Sequence, residues 1–276
     1  MQFYLRDIRP MLISPRQINL NKIVILNPKG GSGKSTLATN LAACYAQQGR
    51  TTAIMDFDPQ GSSITWLKRR SEALPAIHGI EAYKKSVQTT RSWQLRVPDN
   101  IVNVIVDSPA GICHDELREI TRDSTRILVP VLPSSMDIDA ASRCIADLLL
   151  VAKVNRNDHK LAVIANRTRK HTKSLARLMR FLDSLGIPVI AVLRDSQNFV
   201  HSAENGIGLH EMQPSRVLAD LEQLDRIVHW LDGWYERRQA TADFAGIQRR
   251  SFSRSRPCAH VRPGRPEYLQ GPTASN

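Results

Sequence analysis

The sequence predicts an α/β fold in which a doubly wound, mostly parallel sheet carries helices on both faces. Three observations lead there. Short, nearly all-apolar runs recur at Lys22–Asn27, Thr52–Asp56, Val102–Asp107, Arg126–Val131, Leu161–Ala165 and Pro188–Leu193, which is how strands read when helices bury both of their faces. Between them stand helix-length amphipathic stretches, including Ser35–Gln48, Asp137–Val151, Lys173–Leu185 and Val217–Tyr235, so strand and helix alternate. A length of 276 residues with 42% apolar content is enough for one sizeable core, and no internal repeat points to an array.

Taken in order, the first run leads through a glycine turn into the Ser35 helix, the second ends on paired acids, and the third ends on one acid. The last helix sets Leu218, Leu221, Leu224, Ile227, Val228 and Leu231 on one side, with Asp220, Glu222, Asp225 and Asp232 among its polar residues. That pattern predicts a helix packed on the core, since its acids would repel anionic lipid. Residues 1–20 lack a clean period, contain Pro10 and Pro15, and read as an extension. Residues 240–276 are rich in arginine, proline and serine and read as a basic, disordered tail. The expected domain is therefore 21–239.

Lysine and arginine number 38 against 26 acids, a net charge of +12. Such an excess favours a polyanionic partner, DNA or an anionic membrane surface, without choosing between them. No apolar run is long enough to span a bilayer, and no secretory signal opens the chain, so a cytoplasmic protein without integral membrane contact is expected. Cys44, Cys113, Cys144 and Cys258 form no close pair. They read as reduced thiols rather than as a zinc site or a disulfide framework.

The strongest motif is Gly30-Gly31-Ser32-Gly33-Lys34-Ser35-Thr36, placed between a strand and a helix. Backbone N–H groups in such a turn can point at phosphates, helped by the positive end of the helix dipole. Lys34 would reach the β- and γ-phosphates and the Ser35 hydroxyl would bind Mg²⁺. The general form G-x-x-x-x-G-K-[ST] has glycine where this chain has Pro28, so the loop is a deviant one. Val104-Ile105-Val106-Asp107 adds an apolar strand closing on an acid, which places Asp107 to hold a Mg²⁺-bound water.

With Lys29 included, Lys-Gly-Gly-Ser-Gly-Lys-Ser-Thr resembles the signature-lysine loop of the ParA/MinD family of P-loop ATPases, and the resemblance spans residues 22–215. It implies that Lys29 crosses a homodimer interface to nucleotide held by the other subunit. A second cation there would neutralise charge that builds up in phosphoryl transfer. Asp56-Phe57-Asp58-Pro59-Gln60-Gly61 is similar to the family's switch I motif, which implies that Asp58 acts on the attacking water and that Asp56 has a Mg²⁺-linked role. The alternative for Asp58 is a cap on the following helix. Ser108-Pro109-Ala110-Gly111 resembles the MinD branch more than the usual ParA form, and makes Gly111 a candidate switch II hinge. Asn166 matches an adenine-reading asparagine, with a turn asparagine as its alternative.

What the resemblance implies is a dimerising ATPase using ATP and Mg²⁺, stimulated by a ParB-like or cargo-adaptor protein, that positions a plasmid, a chromosome locus or an assembly such as a carboxysome. Non-specific DNA on the nucleoid is the expected surface. Arg194 and Arg216 match basic positions of ParA relatives, and Lys170, Lys173, Arg177 and Arg180 form another strip. A MinD-like membrane ATPase is the alternative. An ATP-dependent amidoligase is disfavoured because the chain has no room for a glutaminase domain.

Overall fold

A computed structural model describes residues 20–83 and 97–252 of the chain, with residues 234–252 as backbone. The expected extension before Leu20, Cys258 and the tail beyond Phe252 lie outside the described residues. Two compact units divide at Tyr235 and Glu236.

The first unit holds a seven-stranded sheet. Its strands are β1 (Asn21–Ile25), β2 (Thr52–Asp56), β3 (Ile77–Glu81), β4 (Asn103–Asp107), β5 (Arg126–Val131), β6 (Leu161–Thr168) and β7 (Val189–Arg194). They stand in the order β3-β2-β4-β1-β5-β6-β7, and every pairing is parallel. The helices are α1 (Lys34–Gln47), α2 (Ser62–Arg69), α3 (His114–Thr121), α4 (Ser135–Leu150), α5 (Lys173–Leu185), α6 (Gln197–Asn205) and α7 (Pro214–Phe252). The doubly wound α/β fold expected from the sequence is the fold found.

Alternate residues of each strand go to opposite faces, because successive side chains in a strand point opposite ways. Val24, Met55, Val104, Val106, Val129 and Val163 pack with residues of α3, α4 and α5. Ile23, Ile25, Ile54, Ile105, Leu128 and Ile164 pack with α1, Trp66 of α2 and the inner side of α7. Within the first part of α7 the buried apolar positions are Val217, Leu224, Ile227, Val228 and Leu231, so this part of the helix packs on the core as expected. Two details depart from the sequence reading. Leu218 is 60% exposed, and Asp220 is fully buried.

β3 is the strand the sequence reading missed. At the sheet edge it buries only Ile80, and His78 and Gly79 are exposed, so it lacks the continuous apolar run of its neighbours. α7 runs to Phe252, past residue 240 where the sequence reading starts its tail. Residues 236–252 contain no proline and are rich in Ala, Arg and Gln, which favour helix. Cys44 and Cys144 are buried free thiols whose pKa burial pushes up to about 12, and Cys113 is exposed. Among the described residues no helix is long and apolar enough to cross a membrane.

Candidate functional site

The connection from β1 to α1 is fastened at its first residues. Buried Asn27 donates from Nδ2 to the Pro130 carbonyl at 2.7 Å, and its Oδ1 accepts the Lys29 amide at 2.8 Å. Gly31 and Gly33 then take φ values of 75° and 93°, the left-handed region where an L side chain is strained. A Cβ on Gly33 would also lie 2.3 Å from Asn166 Nδ2. Gly33 caps α1, whose first turn has no acid, so the open amides and the helix dipole favour an anion at this point.

Lys34 opens α1 and is buried, donating from Nζ to the Lys29 carbonyl at 3.2 Å. Burial lowers its pKa, against the opposing pull of Asp107 and Asp58. This ammonium thus stands within the field of two of the three acids the sequence singles out. Lys29 turns back onto its own chain, with Nζ 2.9 Å from Asp137 Oδ2 in the first turn of α4. Asp137 is buried and also accepts from the Ser134 hydroxyl.

Sheet register gathers the acids. Asp56 is level with Asp107 on the neighbouring strand, and Asp107 is level with Ile25, at the end of the strand that leads into the loop. This is the carboxyl edge, where the strand order reverses and ligands collect in open α/β sheets. Both oxygens of Asp56 are engaged: Oδ1 accepts the Asp58 amide at 2.9 Å, and Oδ2 accepts the Ser63 amide at 3.1 Å. Burial first, and then the Asp107 charge, push its pKa up to about 6. Asp56 therefore serves the N-terminus of α2, the capping task the sequence reading offers as the alternative for Asp58. The half-buried Asp58 carboxylate instead accepts the Gln60 amide at 3.0 Å.

Asp107 is fully buried, and burial raises its pKa even though the Ser63 and Ser35 hydroxyls pull it back down. Its Oδ2 accepts from Ser63 Oγ. Its Oδ1 has no hydrogen-bond partner among the described residues. A carboxylate oxygen left open beside a serine hydroxyl is a hard-oxygen donor set that fits Mg²⁺. Ser35 and Asp107 meet that requirement directly, whereas Asp56 has both oxygens committed to backbone amides. Gly111, at a φ of 68°, donates its amide to the Pro28 carbonyl at 2.9 Å, which lays the candidate switch II loop against the phosphate loop.

β6 extends to Thr168, so Asn166 lies within the strand rather than just after it. Its Nδ2 donates to the Ser32 carbonyl at 2.8 Å and its Oδ1 accepts the Arg167 amide at 2.9 Å. Its side chain locks the loop to β6, and reading a base would require the amide to turn out. Arg194, at the end of β7, is held by Asp220 through Nε and, at 2.9 Å, through Nη2. Arg216 is exposed at the start of α7. The sequence reading missed Asn27, Ser63, Asp137 and Asp220. Only Asn27, a polar residue closing an apolar run, gives a local signal in the sequence.

Residues 23–209, more than half of the chain, match the family model of the CobQ/CobB/MinD/ParA nucleotide binding domain. The maintenance of carboxysome distribution protein A of Halothiobacillus neapolitanus is 28% identical over 168 residues, 61% of this chain and 76% of that protein. The septum site-determining protein MinD of Thermotoga maritima is 25% identical over 239 residues, 75% of this chain and 87% of that protein. In fold, the ATP complex of a Cyanothece McdA variant superposes with a TM-score of 0.62 at 16% identity, covering 78% of this chain and 97% of that one. The loop, its acids and the matched span agree: the chain belongs to the CobQ/CobB/MinD/ParA nucleotide-binding family, and is a P-loop ATPase of the ParA/MinD type.

Proposed function

We propose that this protein is a slow, partner-stimulated ATPase that dimerises around ATP, binds DNA non-specifically in that state, and positions a cellular cargo. The observation that carries the reading is Lys34, buried under the phosphate loop and within the field of both Asp58 and Asp107. ATP would lie with its phosphates on Gly30–Thr36, and Mg²⁺ held by Ser35, with Asp107 on its water shell, would neutralise phosphate charge. Asp58 orients the attacking water, and Lys34 offsets negative charge on the transferring group. Lys29 reaches the partner subunit's nucleotide only after leaving Asp137. Dimerisation therefore exchanges one ion pair for another, a nucleotide-biased two-state device.

DNA is favoured over a membrane by two features. Lys173, Arg177 and Arg180 are exposed at spacings that align them along α5, continuing from exposed Arg167, Arg169 and Lys170, and no acid occurs between Asp158 and Asp183. The first unit also spends the apolar side of the first part of α7 on its own core. Arg194, engaged with Asp220, contributes less to this footprint than Arg216 or the α5 strip. Family likeness to the carboxysome distribution protein supports a protein assembly as cargo, alongside a plasmid or a chromosome locus. The membrane reading draws on the MinD-like Ser108–Gly111 segment and on the similarity to the Thermotoga protein.

Co-sedimentation of Asp58→Ala with ATP, on non-specific DNA and on anionic liposomes in parallel, tests the reading. ATP-dependent retention on DNA that falls steeply with salt is expected. Retention on liposomes alone would replace the DNA reading with the membrane one.

A further inference from the structure

Ser63 belongs to none of the motifs that define the site, yet it stands between the two buried acids. It is fully buried in the first turn of α2. Its amide donates to Asp56 Oδ2 at 3.1 Å and its hydroxyl donates to Asp107 Oδ2. A serine hydroxyl has one proton to give. Given to Asp107 Oδ2, it holds that carboxylate in one orientation and leaves Oδ1 as the oxygen without a protein partner among the described residues. The Ser35 hydroxyl and the Lys34 ammonium also favour its charged form, and the Asp58 charge opposes it.

Resting on the ATPase reading, we propose that Ser63 is a positioning residue for the metal site, holding Asp107 by Oδ2 so that Oδ1 is presented to the hydration shell of a Mg²⁺ on Ser35. The same residue ties that carboxylate to the segment carrying Asp58. Asp56 accepts the amides of both Asp58 and Ser63, at 2.9 and 3.1 Å, so the loop bearing the water-orienting acid and the hydroxyl that aims the metal-side acid share one anchor. Outer-shell partners of this kind act by fixing the orientation of the groups they touch, and losing one costs about 10- to 100-fold in metal affinity.

Mn²⁺ titration followed by electron paramagnetic resonance, on full-length protein saturated with a non-hydrolysable ATP analogue, tests this. Ser63→Ala is expected to weaken Mn²⁺ binding about tenfold, while analogue affinity measured in EDTA stays within about twofold, because the hydroxyl touches the acid and not the phosphates. Should Ser63→Ala not fold, Ser63→Cys keeps the side chain's shape with a weak donor, and a loss of Mn²⁺ affinity in the same direction is expected. Wild-type Mn²⁺ affinity in a folded variant would overturn the role of Ser63 alone. Failure of the wild-type protein to bind Mn²⁺ with the analogue would overturn the ATPase reading beneath it.

Discussion

Asp107, at the end of β4, and Asp220, on α7, are both shut off from solvent, yet their carboxyls are displaced in opposite directions. Burial raises Asp107, and the neighbouring hydroxyls and Lys34 do not bring it back. Burial also opposes the charge on Asp220, but hydrogen bonds from Arg194, Asn198 and Ser196 hold it below the usual carboxylate range. One acid keeps an oxygen without a protein partner among the described residues and the other is fully served. A buried charge left incomplete marks where a ligand completes it. A buried charge fully satisfied marks a joint, here the one fastening β7 and α6 to α7.

That contrast breaks most readily at Asp220. Asp220→Ala leaves Ser196 and the half-exposed Arg194 without this acceptor, and Asn198 with the Arg216 carbonyl at 3.2 Å, and should cost about 2–4 kcal/mol in urea unfolding. Its nucleotide affinity should not change. Asp107→Asn should do the reverse, lowering Mg²⁺-dependent turnover about a hundredfold with stability held or raised, because a desolvated charge is removed. Equal stability losses in the two variants would erase the distinction.

A smaller effect is expected at Asp137, whose pairing with Lys29 holds that lysine in its own subunit. Asp137→Asn should raise the dimer fraction several-fold at a fixed, sub-saturating ATP concentration, as measured by light scattering, since an ion pair of this kind contributes about 1 kcal/mol. An unchanged dimer fraction would make the pair a bystander. The smallest effect is in the pH profile of the nucleotide-free protein. Asp56 ionises near pH 6 when folded and near 3.9 when unfolded. Between those values the folded state holds the extra proton, so this group's contribution to stability falls as pH rises. Asp56→Asn should flatten that decline. Asp220, shifted the other way, contributes stability above the unfolded carboxylate pKa that is lost on acidification below it.

The sequence displays what local chemistry dictates. The glycine loop, the apolar strands and the acids at strand ends each follow from backbone geometry or burial of contiguous residues, and the structure sets Lys34 within the field of Asp58 and Asp107. What stayed hidden depends on residues far apart in the chain. Asp220 reads as one more polar residue on a helix until Arg194, 26 positions earlier, is seen to reach it. Ser63 is one serine of a pair until β4 sets Asp107 beside it. The division of labour between Asp56 and Asp58 was equally illegible, because both acids lie in one motif and only the path of the turn decides which receives the α2 amides. β3 escaped notice because an edge strand needs little apolar surface.

The central claim, an ATP-closed dimer opened by hydrolysis at Asp58, is tested most directly by sedimentation velocity of Asp58→Ala with ATP and Mg²⁺, alongside the same variant carrying Lys29→Ala. The account predicts a persistent dimer for the first and a monomer for the second. Asp58→Ala that hydrolyses ATP at the wild-type rate and sediments as a monomer would contradict it.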